Sequence, residues 1–138
     1  MNLAKDIPLE KWMAYLAPLP KKSPKDHRII IIYKTDDVVK YFWITSKIDK
    51  AKMILRNDPN AYVEISQNEW NVLTKAKSCV QCDIMHLEEI SVYELQKMYT
   101  ENTITYLGKI PESIQDKIKK AINNSISYNF IEQEILSK

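Results

Sequence analysis

The chain is 138 residues long with a formal net charge of +2, and this length suits a single domain over residues 1–138. Its 45% hydrophobic and 28% charged residues exclude a disordered chain, and no run of about 18 apolar residues that could span a membrane occurs. The single glycine, Gly108, excludes glycine-rich phosphate loops and dinucleotide fingerprints, because both need several glycines. We expect a cytoplasmic location, since the first residues lack the apolar core of a signal peptide.

The first predicted element is a helix near the N-terminus. Asp6 and Pro8 suit a helix start, and apolar residues then recur at helical spacing as far as Leu16. Pro20 ends this pattern. We therefore expect an N-terminal helical extension over residues 1–20.

A predicted β-hairpin follows and forms the centre of the chain. Residues 27–33 contain four consecutive isoleucines between polar neighbours, which indicates a strand buried on both faces. Val38–Thr45 is again β-branched and aromatic, and the Asp-containing break between the two segments favours a turn. Antiparallel pairing would bring the start of the first strand next to the end of the second.

An anion-binding site is expected where these strand ends meet. His27 and Arg28 begin the first strand, and the hydroxyl pair Thr45 and Ser46 ends the second. A guanidinium beside two hydroxyls is suited to holding phosphate oxygens. The lysines expected to bind phosphates around this site are Lys21, Lys22, Lys25 and Lys47.

Short helices and strands alternate along the rest of the chain. Capping-box patterns at residues 66–69 and 91–94 each predict a helix start, and Pro111 begins a helix with one apolar face. Further helices are predicted over residues 49–56 and 126–136, and further strands over 61–65, 78–83, 87–90 and 103–106. We therefore expect an α+β fold: a small, SH3-like, mostly antiparallel β-barrel of about five strands with peripheral helices. A C-terminal amphipathic helix over residues 126–138 would extend it.

Cys79 and Cys82 form a C-x-x-C pair. A redox pair of this spacing needs its first cysteine at a helix N-terminus, whereas the surrounding residues predict a strand. A zinc site would need two further ligands, and the only histidines are His27 and His86. We therefore favour buried, reduced cysteines and expect no metal site.

Asp83 follows the strand that carries these cysteines. A lone Asp at a strand end usually serves turn chemistry, so it would gain a catalytic role only if this strand end faces Arg28 and Thr45. Aromatic residues in the strands could stack nucleobases, but most are expected in the core. These residues are Tyr33, Tyr41, Trp43 and Trp70.

Several short motifs occur together in the order found in a known family. They are His27-Arg28 before a β-branched strand, Ile-Thr-Ser-Lys at residues 44–47, Ser78-x-Val80-x-Cys82-Asp83, Gly108 and a final amphipathic helix. In this order they resemble the PemK/MazF toxins of toxin–antitoxin modules, over residues 26–125. Those toxins are small barrel-like ribonucleases in the same fold group as the gyrase poison CcdB. This chain departs from their pattern in having Ile29 after the arginine, where proline is usual.

The resemblance implies an endoribonuclease that cleaves single-stranded RNA without metal or cofactor, as a homodimer restrained by a cognate protein antitoxin. It places Arg28, Thr45 and Ser46 at the phosphate, with Asp83 and His27 as acid–base groups. In this chemistry the ribose 2′-hydroxyl attacks phosphorus and leaves a 2′,3′-cyclic phosphate and a 5′-hydroxyl. Guanidinium and hydroxyl donors stabilise the charge that grows on the phosphate oxygens.

Two other functions stay open. The same fold could bind a protein such as gyrase without catalysis, or it could bind RNA as an antiphage adaptor through the lysine-rich loop before Arg28. The presence of Arg28, Thr45 and Asp83 together favours the nuclease.

Overall fold

The computed structural model describes residues 9–19 and 26–138. This part of the chain contains seven strands: β1 (Met13–Ala17), β2 (His27–Lys34), β3 (Val38–Thr45), β4 (Tyr62–Ser66), β5 (Lys77–Gln81), β6 (Glu88–Ser91) and β7 (Thr105–Lys109). The helices are α1 (Ile48–Ile54), α2 (Val92–Thr100), α3 (Glu112–Asn124) and α4 (Phe130–Leu136), with single 3-10 turns at Pro59–Ala61 and Ile84–His86. The predicted α+β class is confirmed.

The central hairpin has the predicted form. β2 and β3 pair antiparallel, with Arg28 opposite Ile44 and Lys34 opposite Val39. The four isoleucines at residues 29–32 are fully buried, and alternate members face opposite sides of the sheet. The strand shows no alternation of apolar and polar residues because neither of its faces meets solvent.

The sheet is antiparallel throughout and open. Its strand order is β4-β5-β3-β2-β1-β7, with β6 also paired to β3. The edge of β3 that faces away from β2 is shared, since Val38 to Tyr41 pair with β6 while Ile44 and Thr45 pair with β5. Within the described ranges β4 and β7 end the path without pairing to each other, so the sheet is not closed into a barrel.

Two hydrophobic clusters cover the two faces of the sheet. On one face Ile30 and Ile32 of β2 pack with Ile114 and Ile118 of α3, as the apolar stripe of the predicted Pro111 helix requires. On the other face Ile29 and Ile31 pack in the cluster that includes Leu95 of α2. Both clusters meet at the hairpin, so its strands are fixed from both sides and its ends can position a site.

The predicted N-terminal helix is wrong where the structure describes it. Met13–Ala17 forms β1, which lies between β2 and β7 with Ala14 opposite both Ile30 and Gly108. The earlier part of the proposed extension, residues 1–8, lies outside the described residues, as does residue 20.

The helical spacing of these residues has another cause. Trp12, with a positive φ of 74°, donates its backbone N–H to the Ile31 carbonyl at 2.7 Å and accepts from the Ile110 N–H at 2.9 Å. Trp12 and Ala14 then belong to one cluster, while Tyr15 belongs to the other. Apolar residues buried on both faces of a strand can match a helical period by chance, and pairing to two neighbouring strands decides the conformation.

The first capping-box pattern forms its hydrogen bonds without a helix. Ser66 N–H donates to Glu69 Oε2 at 2.9 Å, and Glu69 N–H donates to Ser66 Oγ at 3.3 Å. The residues that follow form turns back to β5 and bury Trp70 and Leu73, so the predicted helix there is wrong. The second box does open a helix, because Ser91 Oγ accepts from the Glu94 N–H at the start of α2.

The C-terminal segment is helical over a shorter range than predicted. Its helix begins at Phe130, after Asn129, whose side chain accepts from the Glu132 N–H in a complete capping box. None of the helices in the described part of the chain has the length and apolar character needed to cross a membrane.

Candidate functional site

The predicted strand ends meet in one cleft. The Arg28–Ile44 pairing places the start of β2 beside the end of β3. These two strand ends form two sides of the cleft, and the loop before β5 forms the third. The cleft has a volume of about 220 Å³. The residues that line it, called here the hairpin cleft, are Asp26, His27, Arg28, Ile44, Thr45, Ser46, Lys47, Leu73, Thr74, Lys75 and Ser78.

Arg28 lies half-buried in the hairpin cleft without a charged partner. Its Nε atom is buried and has no hydrogen-bond partner, and no carboxylate of the described residues forms an ion pair with its guanidinium. Buried donors in proteins are nearly always paired, and a buried charge without compensation is costly. An anion in the cleft would supply the missing negative charge.

His27 is held by two contacts. Its Nδ1 atom lies 3.0 Å from the Leu19 carbonyl oxygen, which can only accept, so Nδ1 carries the proton and donates. Its ring also stacks on the indole of Trp43, with ring centroids 5.6 Å apart and planes inclined by 15°. In the neutral ring this arrangement leaves Nε2 as a free acceptor, which is the form that a general base requires.

The Thr45 hydroxyl can donate a hydrogen bond to a ligand. Its Oγ1 accepts the Lys47 backbone N–H at 3.1 Å, and this contact uses a lone pair of the oxygen rather than its hydrogen. Ser46 and Lys47 follow at the exposed end of β3. The cleft therefore presents a hydroxyl donor and an ammonium group beside Arg28.

One wall of the hairpin cleft was not predicted from the sequence. Lys75 and the 5% exposed Ser78 reach it because β5 pairs with β3, with Cys79 opposite Thr45. Asp26 is the one acidic residue among those lining the cleft, against three Lys and Arg residues. The cleft thus carries a positive excess suited to a phosphodiester. Lys21, Lys22 and Lys25 lie outside the described residues.

Asp83 is not brought into the cleft. It lies beyond the far end of β5, and its Oδ1 accepts from Nδ1 of His86 at 2.5 Å. This hydrogen bond raises the pKa of His86 above its ordinary value, against a smaller opposing effect of burial. The condition that would have joined Asp83 to Arg28 and Thr45 is therefore not met.

The C-x-x-C pair is buried within the sheet. Cys79 and Cys82 are both free and fully buried, as predicted. Burial raises the pKa of Cys79 to about 11 and that of Cys82 well above its usual range, so neither is a thiolate at neutral pH. Across the described ranges, no group of three or more His, Cys, Asp and Glu side chains is arranged to hold a metal ion.

Larger cavities occur elsewhere, and we compare the hairpin cleft with one whose lysine is already hydrogen-bonded. The one between α3 and β4 has a volume of about 420 Å³. Its Lys117 is already bonded to Glu69, at 2.5 Å, and to the Glu64 carbonyl. We give the smaller hairpin cleft priority because Arg28 has no ion-pair partner within residues 9–19 and 26–138.

No protein-family model matches the chain, and no curated protein matches it in sequence. Support for a function therefore comes from the geometry of the hairpin cleft and from the order of the sequence motifs.

Proposed function

We propose that this protein is a metal-independent endoribonuclease that cleaves single-stranded RNA at the hairpin cleft. The observation that carries the proposal is that Arg28, which has no ion-pair partner in the described part of the chain, lines the same cleft as His27 and Thr45. Each of the three presents the form that phosphodiester cleavage needs: a free guanidinium, an imidazole with one nitrogen unbonded, and a hydroxyl able to donate.

The reaction follows from these groups. His27 Nε2 takes the proton of the ribose 2′-hydroxyl, and the 2′-oxygen forms a bond to the adjacent phosphorus. Arg28 and Thr45 donate to the non-bridging oxygens, where negative charge grows. The bond from phosphorus to the 5′-oxygen breaks, and that oxygen takes a proton from water at the open side of the cleft. The products are a 2′,3′-cyclic phosphate and a 5′-hydroxyl.

The proposal includes the family and partner that the motif order implies. We place the chain among PemK/MazF-like toxins, with an open, seven-stranded variant of their SH3-like barrel as its fold and a cognate antitoxin as its protein partner. The antiparallel sheet, in which β3 pairs with both β5 and β6 along one edge, supports this fold. The acid–base role passes to His27, because Asp83 lies outside the cleft.

The test is RNA cleavage in EDTA with matched arginine variants. Wild-type protein should cut a long single-stranded RNA without divalent metal, and Arg28→Ala should lower the rate by about 10²–10³-fold, as for the loss of one oxyanion donor. Arg56→Ala serves as the control, since the chain's other arginine is exposed and donates only to the Met53 carbonyl.

Two results would contradict the proposal. Cleavage that disappears in EDTA and returns with magnesium would rule out the mechanism, and equal rates for Arg28→Ala and wild type would place the site elsewhere. RNA binding without any cleavage would instead support the adaptor function.

A further inference from the structure

Two lysine side chains that are distant in sequence meet at the indole ring of Trp12. Nζ of Lys11, just before β1, lies 4.8 Å from the centroid of this ring, and Nζ of Lys119, on α3, lies 5.9 Å from it. Trp12 is 6% exposed and belongs to the hydrophobic cluster that also contains the apolar stripe of α3. We call Lys11, Trp12 and Lys119, together with the Leu136 carbonyl, the lysine cluster.

The lysine cluster has two positive charges and lacks a negative one. No carboxylate within residues 9–19 and 26–138 forms an ion pair with Lys11 or Lys119. Lys11 Nζ instead donates to the carbonyl oxygen of Leu136, the last residue of α4, at 2.6 Å. The aromatic ring attracts both ammonium groups, but each of them also repels the other.

This environment favours the neutral form of Lys11. Burial of the side chain, and to a smaller extent the charge of Lys119, lowers the pKa of Lys11 to about 8. Near neutral pH an appreciable fraction of Lys11 is therefore an uncharged amine, whereas an ordinary lysine with a pKa of about 10.4 is almost fully protonated. The hydrogen bond to Leu136 uses a hydrogen of this amine, so its lone pair stays free to act as a nucleophile.

We propose that Lys11 is a carbon dioxide-binding site, at which Nζ forms a carbamate whose negative charge pairs with the Lys119 ammonium. The lone pair of the neutral amine forms a bond to the carbon of carbon dioxide, and one electron pair of a C=O bond moves to its oxygen. The nitrogen then loses one proton to water. The reaction needs no oxidant, reductant or further reactant, and the proposal does not depend on the nuclease activity.

The lysine cluster suits the carbamate as well as the free amine. The carbamate nitrogen keeps one hydrogen, which can still donate to the Leu136 carbonyl. The new carboxylate supplies the negative charge that the cluster lacks, so a repulsion between two lysines becomes an attraction. Lys117, also on α3, already has Glu69 as its partner, and this separates it from Lys119.

The first experiment locates the carbamate. The protein is equilibrated with isotopically labelled bicarbonate and carbon dioxide at about pH 8, where Lys11 is half neutral. The carbamate is trapped by ethylation with a trialkyloxonium salt and mapped to a peptide by mass spectrometry. Wild-type protein should carry the label on Lys11, and Lys11→Arg should carry none at this position.

A matched pair of α3 variants tests the role of Lys119. Lys119→Gln should need about fivefold more carbon dioxide for the same occupancy of Lys11, as for the loss of one partly exposed ion pair. Lys120→Gln is the control, because Lys120 is the next residue on α3 and lines the cavity toward β4 instead. This variant should be labelled like wild type, and circular dichroism checks that each variant is folded.

The second experiment measures stability. A ligand that binds the folded chain raises the free energy of unfolding, and lysines of the unfolded chain form little carbamate because they are protonated. Urea denaturation in bicarbonate, compared with chloride at equal pH and ionic strength, should show a gain for wild type and none for Lys11→Arg.

Three results would overturn the proposal. The first is no label on Lys11 under carbon dioxide at atmospheric pressure, and the second is equal labelling of Lys119→Gln and wild type. The third is a stability gain that persists in Lys11→Arg, because arginine keeps the charge but forms no carbamate. That result would mean that the lysine cluster holds a bicarbonate ion without a covalent bond.

Discussion

Nδ1 of His86 lies 2.5 Å from Oδ1 of Asp83, and this pair is separate from the hairpin cleft. The hydrogen bond to Asp83 raises the pKa of His86 in the folded protein. A raised folded pKa means that the pair's contribution to stability is complete below the unfolded value of about 6.5. The contribution is lost as the pH rises through the folded pKa.

We therefore expect the free energy of unfolding to fall as the pH rises from about 6 to the pH at which His86 loses its proton in the folded protein. Urea denaturation at a series of pH values measures it. Asp83→Asn and His86→Gln should each flatten this decrease, because either change removes the proton linkage. Variants whose pH dependence equals that of wild type would show that the pair does not contribute.

The sequence was sufficient to predict the hairpin and the Pro111 helix but not the N-terminal strand. A run of four isoleucines and a stripe at 114, 118 and 122 each specify one conformation locally. Met13–Ala17 does not, because its conformation depends on pairing with β2 and with β7, which lies about 90 residues later in the chain. Pairing between segments this far apart cannot be predicted from the pattern of apolar residues within one segment.

Replacement of Ile118 by Ala should destabilise the protein strongly. Ile118 is fully buried among the residues of α3 and the sheet, so its truncation removes apolar contacts and leaves a cavity. We expect a loss of about 2–5 kcal/mol in the free energy of unfolding, measured by urea denaturation. Ile126→Ala, at a position 78% exposed, should change it by less than about 0.5 kcal/mol. Similar values for the two variants would mean that the core is misplaced.

Cys79 and Cys82 should be unreactive in the folded protein. Their pKa values are raised by burial, so at pH 8 almost no thiolate forms, and the thiolate is the reactive species. With a chromogenic disulfide reagent we expect no fast reaction in native buffer and reaction of both thiols in guanidinium. A thiol that reacts at once in native buffer would contradict the burial of the pair.

The candidate site was only partly predictable for a related reason. His27, Arg28 and Thr45 could be joined from sequence because one hairpin brings them together. Ser78 could not be added and Asp83 could not be excluded, since both depend on the alignment of β5 with β3, which the sequence does not specify. The Leu19 contact that fixes the tautomer of His27 likewise involves a backbone carbonyl, which no residue pattern reveals.

The last prediction separates chemistry from binding within the hairpin cleft. Thr45→Val keeps the shape of the side chain but removes the hydroxyl that donates to the phosphate. A hydrogen bond to a charged group contributes about 1.5–3 kcal/mol, so the single-turnover rate on saturating RNA should fall by about 10–10²-fold. Thr105→Val is the control, because Thr105 is an exposed threonine on β7 outside the cleft.

Lys47→Gln should behave differently, because an ammonium at the rim attracts phosphates without taking part in the reaction. We expect weaker binding and a salt dependence reduced by about one released counterion, with the rate at saturating RNA nearly unchanged. Binding measured at several salt concentrations, combined with single-turnover rates, resolves the two effects. If Thr45→Val changes only the affinity while Lys47→Gln lowers the saturated rate, the roles given to these two residues are reversed, and the reacting phosphate lies nearer Lys47 than Arg28.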